Sequence, residues 1–311
     1  MWLRVLAESN QSWTLSISFV LGLIRRVRSV APSSTVLPKL GILAGGGSLP
    51  KQLIDVCEKL RRPFFVVAIE NNADPEVVVS IPHCWARLEA VGRIIANLKR
   101  ARVKEVVMVG LVTRPSWRDV KPDWRGLKML PKVLGGSQGD GAILSLAIKE
   151  LELEGFCVIG IDDVLTDLRT PLGPLGQYHP DSIAQRDIER AIEVGLALGA
   201  VDVGQAVVVQ HGVVLGVEAI EGTDALLERC LGLCRGGDGG VLLKLKKAYQ
   251  DSRVDLPTVG PDTVAKASQA GIRGIAIEAD ASLLVERARL VRDADLAGMF
   301  VTGVKVERCL G

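Results

Sequence analysis

Two acidic segments in the second half of the chain contain the residue types that metal-assisted phosphate chemistry uses. The first is Glu218-Ala-Ile-Glu221-Gly-Thr-Asp224, and the second runs from Asp251 to Asp255 around an arginine. Glu221 and Asp224 stand three residues apart at a predicted helix start, so they can share one helix face. Carboxylates gathered with cations and backbone amides suit a magnesium-assisted phosphoryl site.

Ordinary structural roles for these residues remain open alternatives. Thr223 or Asp224 could cap a helix, and the acids of the second segment could be solvated loop residues. Mg²⁺ takes only one or two carboxylates in many sites, so not every acid needs to be a ligand, and Arg253 can neutralise one of them. The candidate metal ligands are Glu221, Asp224, Asp251 and Asp255. Asp224 and Asp255 are the leading candidates for metal binding or water activation.

A lysine at the end of a predicted strand is the third catalytic candidate. Lys244 alternates with apolar residues, so its charge can point towards the site and stabilise negative charge on phosphate oxygens. For Lys246 and Lys247 the preferred interpretation is a solvated strand end. Gln205 precedes a predicted β-hairpin, and it joins Thr223 as a candidate substrate-binding residue.

Loops of the first half place further candidates at one edge of a predicted sheet. Gly45-Gly46-Gly47 lies between a strand and a helix, where glycine permits close backbone approach and the helix offers free amides to an anion. The run matches neither GxGxxG nor the Walker A pattern, and a tight turn would also explain it. Thr113 and Arg114 follow a later strand, and Gly139 and Asp140 open another helix. Because open α/β sheets bind ligands at this edge, we predict that these loops contact nucleotide or phosphate.

The order of elements predicts an α/β fold with two domains. From Lys39 onward, apolar strands alternate with amphipathic helices, which indicates a Rossmann-like parallel sheet domain over residues 39–169. A Pro/Gly-rich segment over 170–180 is the predicted linker. Residues 181–311 are predicted to form a mixed α/β domain for catalysis and lipid binding. It contains a β-hairpin with His211 in its turn, so His211 is not expected to be a catalytic base.

Composition narrows the class of protein. A net charge of +2 argues against a general polyanion binder, and an aromatic content of 4% argues against stacking platforms for nucleic acid. The cysteines are scattered without a CxxC pair, which indicates a reducing compartment. The histidines lack the spacing of a zinc site.

Residues 1–38 form a predicted extension, expected to be poorly ordered, that stands outside the α/β pattern. A short apolar run, Trp13 to Ile24, is followed by arginines, whereas a secretory signal has its charges in front. The run is too short to span a bilayer. A presequence, an interfacial anchor and a mis-assigned start codon remain open interpretations.

Six motifs in a fixed order resemble one bacterial hydrolase family. They are Gly41-Ile-Leu-Ala-Gly-Gly-Gly-Ser-Leu-Pro50, Thr113-Arg-Pro115, Gly139-Asp-Gly-Ala142, Asp202-Val-Gly-Gln-Ala206, Glu218-Ala-Ile-Glu-Gly-Thr-Asp224 and Asp255-Leu-Pro-Thr-Val-Gly-Pro261. From about Lys39 to Gly303 the chain resembles the UDP-2,3-diacylglucosamine pyrophosphatases of the I type, from the lipid A pathway. The segment after Lys244 departs from the Lys-Pro-Gly-Gln type of loop expected there.

The resemblance implies a substrate, a cofactor and a location. It implies a sugar nucleotide held between two domains and water attacking the α-phosphorus, which yields UMP and 2,3-diacylglucosamine 1-phosphate. Mg²⁺ is the implied cofactor. A cytoplasmic protein with peripheral contact to the inner membrane is expected, with a homodimer as a further expectation and no nucleic-acid partner. A non-catalytic sugar-nucleotide sensor and a nucleotidyl or glycosyl transferase remain alternatives.

Overall fold

Two β-sheets organise the chain in the computed structural model, which describes residues 37–113, 123–127, 140–248 and 250–308. The described residues from Pro38 onward belong to one compact unit. The predicted extension falls outside these ranges except for its last two residues, and Arg114 and Gly139 also lie outside them. No helix within the described ranges has the length and apolar character needed to cross a bilayer.

The first sheet is entirely parallel. Its strands are β1 (Leu40–Ala44), β2 (Phe64–Ile69), β3 (His83–Ala86), β4 (Glu105–Val109) and β5 (Cys157–Val158). They are arranged in the order β3-β2-β1-β4-β5. This order places the first strand at the centre, as in doubly wound sheets, so the loops after β1 and β4 adjoin at the carboxyl edge.

Helices cover this sheet through apolar stripes. They are α1 (Leu49–Lys59), α2 (Pro75–Val78), α3 (Val91–Arg100) and α4 (Asp140–Leu153). Leu53, Ile54 and Cys57 recur at helical spacing on α1 and are buried against the sheet. Pro50 lies in the first turn, where a missing N–H costs nothing, so it favours a helix start directly after the glycines.

The second sheet is mixed. The strands of the second half are β6 (Gly173–Pro174), β7 (Ala206–Gln210), β8 (Val213–Val217), β9 (Gly240–Lys244), β10 (Thr258–Val259), β11 (Ile272–Glu278), β12 (Leu283–Leu284) and β13 (Phe300–Val304). The sheet has the order β6-β13-β11-β9-β7-β8, and β10 pairs separately with β12. β9, β11 and β13 run parallel to one another. β6 pairs antiparallel with β13, and β7 pairs antiparallel with both β8 and β9. The predicted parallel and mixed sheets are both confirmed.

Four helices accompany the second sheet: α5 (Ser182–Ala200), α6 (Gly222–Cys230), α7 (Pro261–Gln269) and α8 (Arg287–Leu296). Their apolar residues pack on both faces of the strands. The predicted β-hairpin is confirmed as β7 and β8, with His211 in its turn. His211 has a positive φ of 50°, and Gly212 one of 77°.

We predict that Asp187 is a main support of this hairpin. The side chain lies on α5 and is 1% exposed, and its carboxylate accepts the backbone N–H of His211 at 3.0 Å and of Gly212 at 2.6 Å. Asp187→Ala removes both charged acceptors and is expected to lower the free energy of unfolding by about 3 kcal/mol. Urea unfolding measures this change. Glu189→Ala, an exposed change on the same helix, is the control, and equal effects of the two substitutions would contradict the prediction.

The predicted linker is hydrogen-bonded to the second half. Thr170 is buried and donates its backbone N–H to Ser282 O at 3.0 Å, and Leu175 N donates to Val301 O at 2.9 Å. Leu283 in turn packs into the apolar core of the first half with Leu53. The two halves therefore meet in a packed boundary, which brings their loops near one another.

Candidate functional site

Polar side chains gather at one edge of the second sheet. β9 ends at Lys244, which is paired with Ala206 at the start of β7. Since β7 runs antiparallel to both β8 and β9, the residues directly before β7 and directly after β8 lie at the same edge. Those residues are Gln205 and Glu218, so the strand register brings them next to Lys244.

Glu218 is a buried carboxylate at this edge, directly after β8. It is 6% exposed, and its Oε2 accepts the backbone N–H of Gln205 at 3.0 Å. Its Oε1 accepts the hydroxyl of Thr223 at 2.7 Å. Glu218 was not among the site residues predicted from the sequence, although its position directly after a strand and at the head of the acidic motif was a usable signal.

Lys244 is a buried lysine beside these acids. It is 6% exposed, and its Nζ donates to the backbone oxygen of Thr258 at 3.0 Å. Burial lowers the pKa of Lys244, while the negative charges of Glu218 and Asp224 act in the opposite direction. The predicted orientation of this lysine towards the acidic segment is therefore consistent with the electrostatics.

The other two acids of the first segment lie around the start of α6. The Asp224 side chain is 62% exposed, and its Oδ2 accepts Lys266 Nζ from α7 at 2.7 Å. Glu221 precedes the helix and accepts Arg229 Nη2 at 2.6 Å. Asp224 thus combines exposure to solvent with proximity to Lys244, whereas Glu221 is engaged by an arginine of its own helix.

Asp251 forms an ion pair with the arginine of its own segment. Arg253 Nε donates to Asp251 Oδ1 at 3.0 Å and Nη2 to Oδ2 at 2.7 Å, and this pairing lowers the pKa of Asp251. The remaining arm, Nη1, reaches Glu152 Oε1 on α4 at 2.6 Å. Arg253 therefore neutralises Asp251 and ties the segment to the first half. A role for Asp251 in metal binding stays a prediction.

Asp255 is connected to the sheet edge through two glutamines. Its Oδ2 accepts Gln250 Nε2 at 2.9 Å, and the same Nε2 donates to Gln205 Oε1 at 3.0 Å. The backbone N–H of Gln205 in turn contacts Glu218. The second acidic segment therefore belongs to the same polar cluster as the first. The order of the two segments along the chain did not by itself predict that they would meet.

The lysines that follow Lys244 are not simply solvated. Lys247 Nζ forms a 2.6 Å ion pair with Asp202, and only 16% of its side chain is exposed. The backbone N–H of Lys246 donates to Glu278 Oε2 at 2.9 Å. For Lys247 the interpretation as a solvated strand end is therefore wrong, because its ammonium is paired with Asp202 and most of its side chain is buried.

The glycine loop closely approaches the loop after β4. Gly46 and Leu111 exchange two backbone hydrogen bonds of 2.8 and 2.9 Å, and a Cβ on Gly45 would lie 2.4 Å from Leu111 O. Gly47 has a φ of 87°. Thr113 N donates to Asn72 Oδ1 at 2.7 Å. Close contacts between loops are thus sufficient to require Gly45 and Gly46, and the positive φ favours glycine at Gly47. Ligand binding by these glycines and by Thr113 stays a prediction.

The remaining predicted loop residues are Arg114, Gly139 and Asp140, and the structure describes them only in part. Arg114 and Gly139 lie outside the described residues, as does the side chain of Asp140, the first residue of α4. Within the described ranges, no group of three or more His, Cys, Asp and Glu side chains is arranged to hold a metal ion. A metal at this edge would therefore need further oxygens from a ligand or from water.

The two sheets and this cluster define an α/β protein with a buried lysine near carboxylates at the end of its second sheet. Residues 39–168 match the model of the LpxI N-terminal domain, and residues 171–302 match that of the LpxI C-terminal domain. The chain is 39% identical over 273 residues to the UDP-2,3-diacylglucosamine pyrophosphatase LpxI of Caulobacter vibrioides, a match that covers 86% of this chain and 97% of that protein. The chain therefore belongs to the LpxI family of pyrophosphatases and is an enzyme.

One solved structure has a weak similarity to this chain. It is an N5-carboxyaminoimidazole synthase from Aspergillus clavatus in complex with ADP and a ribonucleotide. The alignment covers 61% of this chain and 42% of the synthase chain. The identity is 14% and the TM-score is 0.22, which is too low to support a conclusion about fold or function.

Proposed function

We propose that this protein hydrolyses the pyrophosphate bond of UDP-2,3-diacylglucosamine to UMP and 2,3-diacylglucosamine 1-phosphate in lipid A synthesis. Family membership and the name of the Caulobacter relative support the substrate. The observation that carries the chemistry is the placement of Lys244, a buried lysine at the end of β9, beside Glu218 and Asp224. Cleavage of a pyrophosphate develops negative charge on phosphate oxygens, and a fixed cation lowers the energy of that state.

Lys244 is proposed to contact the phosphate that is attacked. Its burial strengthens this interaction, because a charge acts over a lower effective dielectric away from bulk water. Glu218 is proposed to keep the lysine protonated, since its carboxylate opposes the effect of burial on the pKa of Lys244. Glu218 itself is oriented by hydrogen bonds from the Gln205 backbone N–H and the Thr223 hydroxyl, and neither of these donors carries a positive charge.

Asp224 and Asp255 are the residues proposed to bind Mg²⁺. Mg²⁺ requires only one or two protein carboxylates when phosphate and water supply the other oxygens, so the site fits without a preformed cage of three acids. The exposed carboxylate of Asp224 fits this requirement, and Asp255 is linked to the same cluster. A bound Mg²⁺ would neutralise charge on the pyrophosphate oxygens. The same carboxylates are proposed to orient the attacking water.

The nucleotide is proposed to lie between the two halves, near the glycine loop. A 3.4 Å hydrogen bond from Ser48 Oγ to Glu286 Oε1 supports this placement, because it brings the loop next to the second half. Thr113, Arg114, Gly139 and Asp140 are proposed to complete the nucleotide contacts. Since the substrate carries two acyl chains, peripheral contact with the inner membrane is part of the proposal.

A turnover assay tests the proposed function. Purified protein is incubated with UDP-2,3-diacylglucosamine in detergent micelles, and UMP and lipid phosphate are quantified by chromatography. We expect equal amounts of both products with Mg²⁺, none with chelator, and recovery when Mg²⁺ is restored in excess. Unacylated UDP-N-acetylglucosamine is the substrate control. Binding without turnover would contradict the proposal in favour of a sensor, and product formation only with an added acceptor would favour a transferase.

A further inference from the structure

The Gln250 side chain is buried, and three hydrogen bonds fix it. It is 7% exposed, and its Nε2 donates to Gln205 Oε1 at 3.0 Å and to Asp255 Oδ2 at 2.9 Å. Its Oε1 accepts the backbone N–H of Lys247 at 2.8 Å. Both N–H hydrogens and the carbonyl oxygen therefore have partners, which defines the orientation of the amide.

The partners of Gln250 belong to different parts of the site. Gln205 lies directly before β7, and Lys247 follows the end of β9. Asp255 lies in the segment between β9 and β10, where Val254 and Leu256 pack against two apolar clusters of the first half. Gln250 therefore connects the edge of the second sheet to a segment that is anchored on the first half.

We propose that Gln250 is a positioning residue that holds the Asp255 carboxylate towards the Glu218 and Lys244 cluster. The inference rests on the proposed function, in which Asp255 binds metal or orients water. A buried amide is costly unless it is hydrogen-bonded, and an apolar residue here would leave the Lys247 N–H and the Gln205 and Asp255 oxygens without these partners. The contribution of glutamine is the pair of N–H groups that it directs to Gln205 and Asp255.

The direction of each hydrogen bond supports this role. Because the N–H of Lys247 can only donate, it requires the oxygen of Gln250 at that end. The opposite end then presents N–H groups, which a carboxylate accepts. The two acids of the cluster, Glu218 and Asp255, are thereby linked through Gln205 and Gln250.

Two substitutions test the position of Asp255. Gln250→Leu removes both donors, and Gln250→Glu keeps the shape but replaces the donors with a like charge facing Asp255. We expect kcat to fall by roughly 10–100-fold in either variant, which is the range for residues that orient a metal ligand through a hydrogen bond. KM should stay within about threefold of wild type. Gln185→Leu, an exposed change on α5, is the control and should leave kcat unchanged. Thermal unfolding verifies that each variant is folded.

A double-mutant cycle with Asp255→Ala separates positioning from a general structural effect. If Gln250 acts through Asp255, Gln250→Leu has no further effect on kcat, within about twofold, once Asp255 is alanine. An equal loss in both backgrounds would overturn the inference, as would Asp255→Ala with wild-type kcat. If Gln250→Leu does not fold, the same cycle with the near-isosteric Gln250→Glu gives the answer. The wild-type rate in this assay tests the proposed function separately.

Discussion

Replacing Lys244 with methionine is expected to lower kcat for UMP release by about 10²–10³-fold, the loss seen when one fixed stabilising group is removed from a transition state. Methionine has a similar length and fills the buried space, so the main change is the loss of positive charge. Lys244 is held by Thr258 and lies beside two carboxylates, which fixes the charge before substrate arrives. Steady-state kinetics with saturating Mg²⁺ measures the effect.

The control for this prediction is Lys59→Met, which removes the same charge at an exposed position on α1. We expect that variant to retain wild-type kcat and KM. A Lys244→Met variant that is folded and within threefold of wild type would contradict the assignment of this lysine to the reaction.

The lowered pKa of the same lysine leads us to predict how activity changes at alkaline pH. Burial lowers the pKa of Lys244, so its ammonium loses the proton at a lower pH than an exposed lysine would. Activity should therefore fall as the pH rises through this lowered value. Glu218→Gln removes a charge that opposes the effect of burial, so the alkaline limb should move to still lower pH. An unchanged limb in that variant would contradict the pairing of Glu218 with Lys244.

The second large effect is expected for Asp224→Asn, with a loss in kcat of about 10²–10⁴-fold, the range for groups that activate a nucleophile. Asparagine keeps the volume of the side chain and can still accept Lys266 Nζ, so the contact between α6 and α7 persists. The variant should also need more Mg²⁺ for half-maximal rate, because one proposed ligand has lost its charge. A Mg²⁺ titration of the rate measures both effects.

Glu228 offers a matched control for Asp224. It lies on the same helix and faces the same lysine, with 3.9 Å between Glu228 Oε1 and Lys266 Nζ. Glu228→Gln removes the same charge without involving Lys244, and we expect activity within twofold of wild type. Equal losses in the two variants would show that charge on α6, and not the position of Asp224, determines the rate.

Patterns along the chain predicted much of the framework. Apolar runs along the chain indicated buried parallel strands such as β4, and the two apolar runs around His211 indicated the hairpin. Lys244 was found because it ends such a run. These signals are local, since each depends on residues that are close in sequence.

The sequence did not predict site residues whose partners lie far away along the chain. Glu218 contacts Gln205 across thirteen positions, and Gln250 contacts Gln205 across forty-five. No periodicity encodes these pairings, because the register of β7, β8 and β9 creates them. The glycine loop shows the opposite case, since the pattern suggested a ligand whereas contact with Leu111 is sufficient to require glycine.

The most direct measurement of the central claim is hydrolysis of UDP-2,3-diacylglucosamine in water labelled with heavy oxygen, followed by mass spectrometry of both products. We predict Mg²⁺-dependent cleavage with one labelled oxygen in UMP and none in the lipid phosphate, because the family resemblance implies that water attacks the α-phosphorus. Label in the lipid phosphate, or no UMP at all, would contradict it.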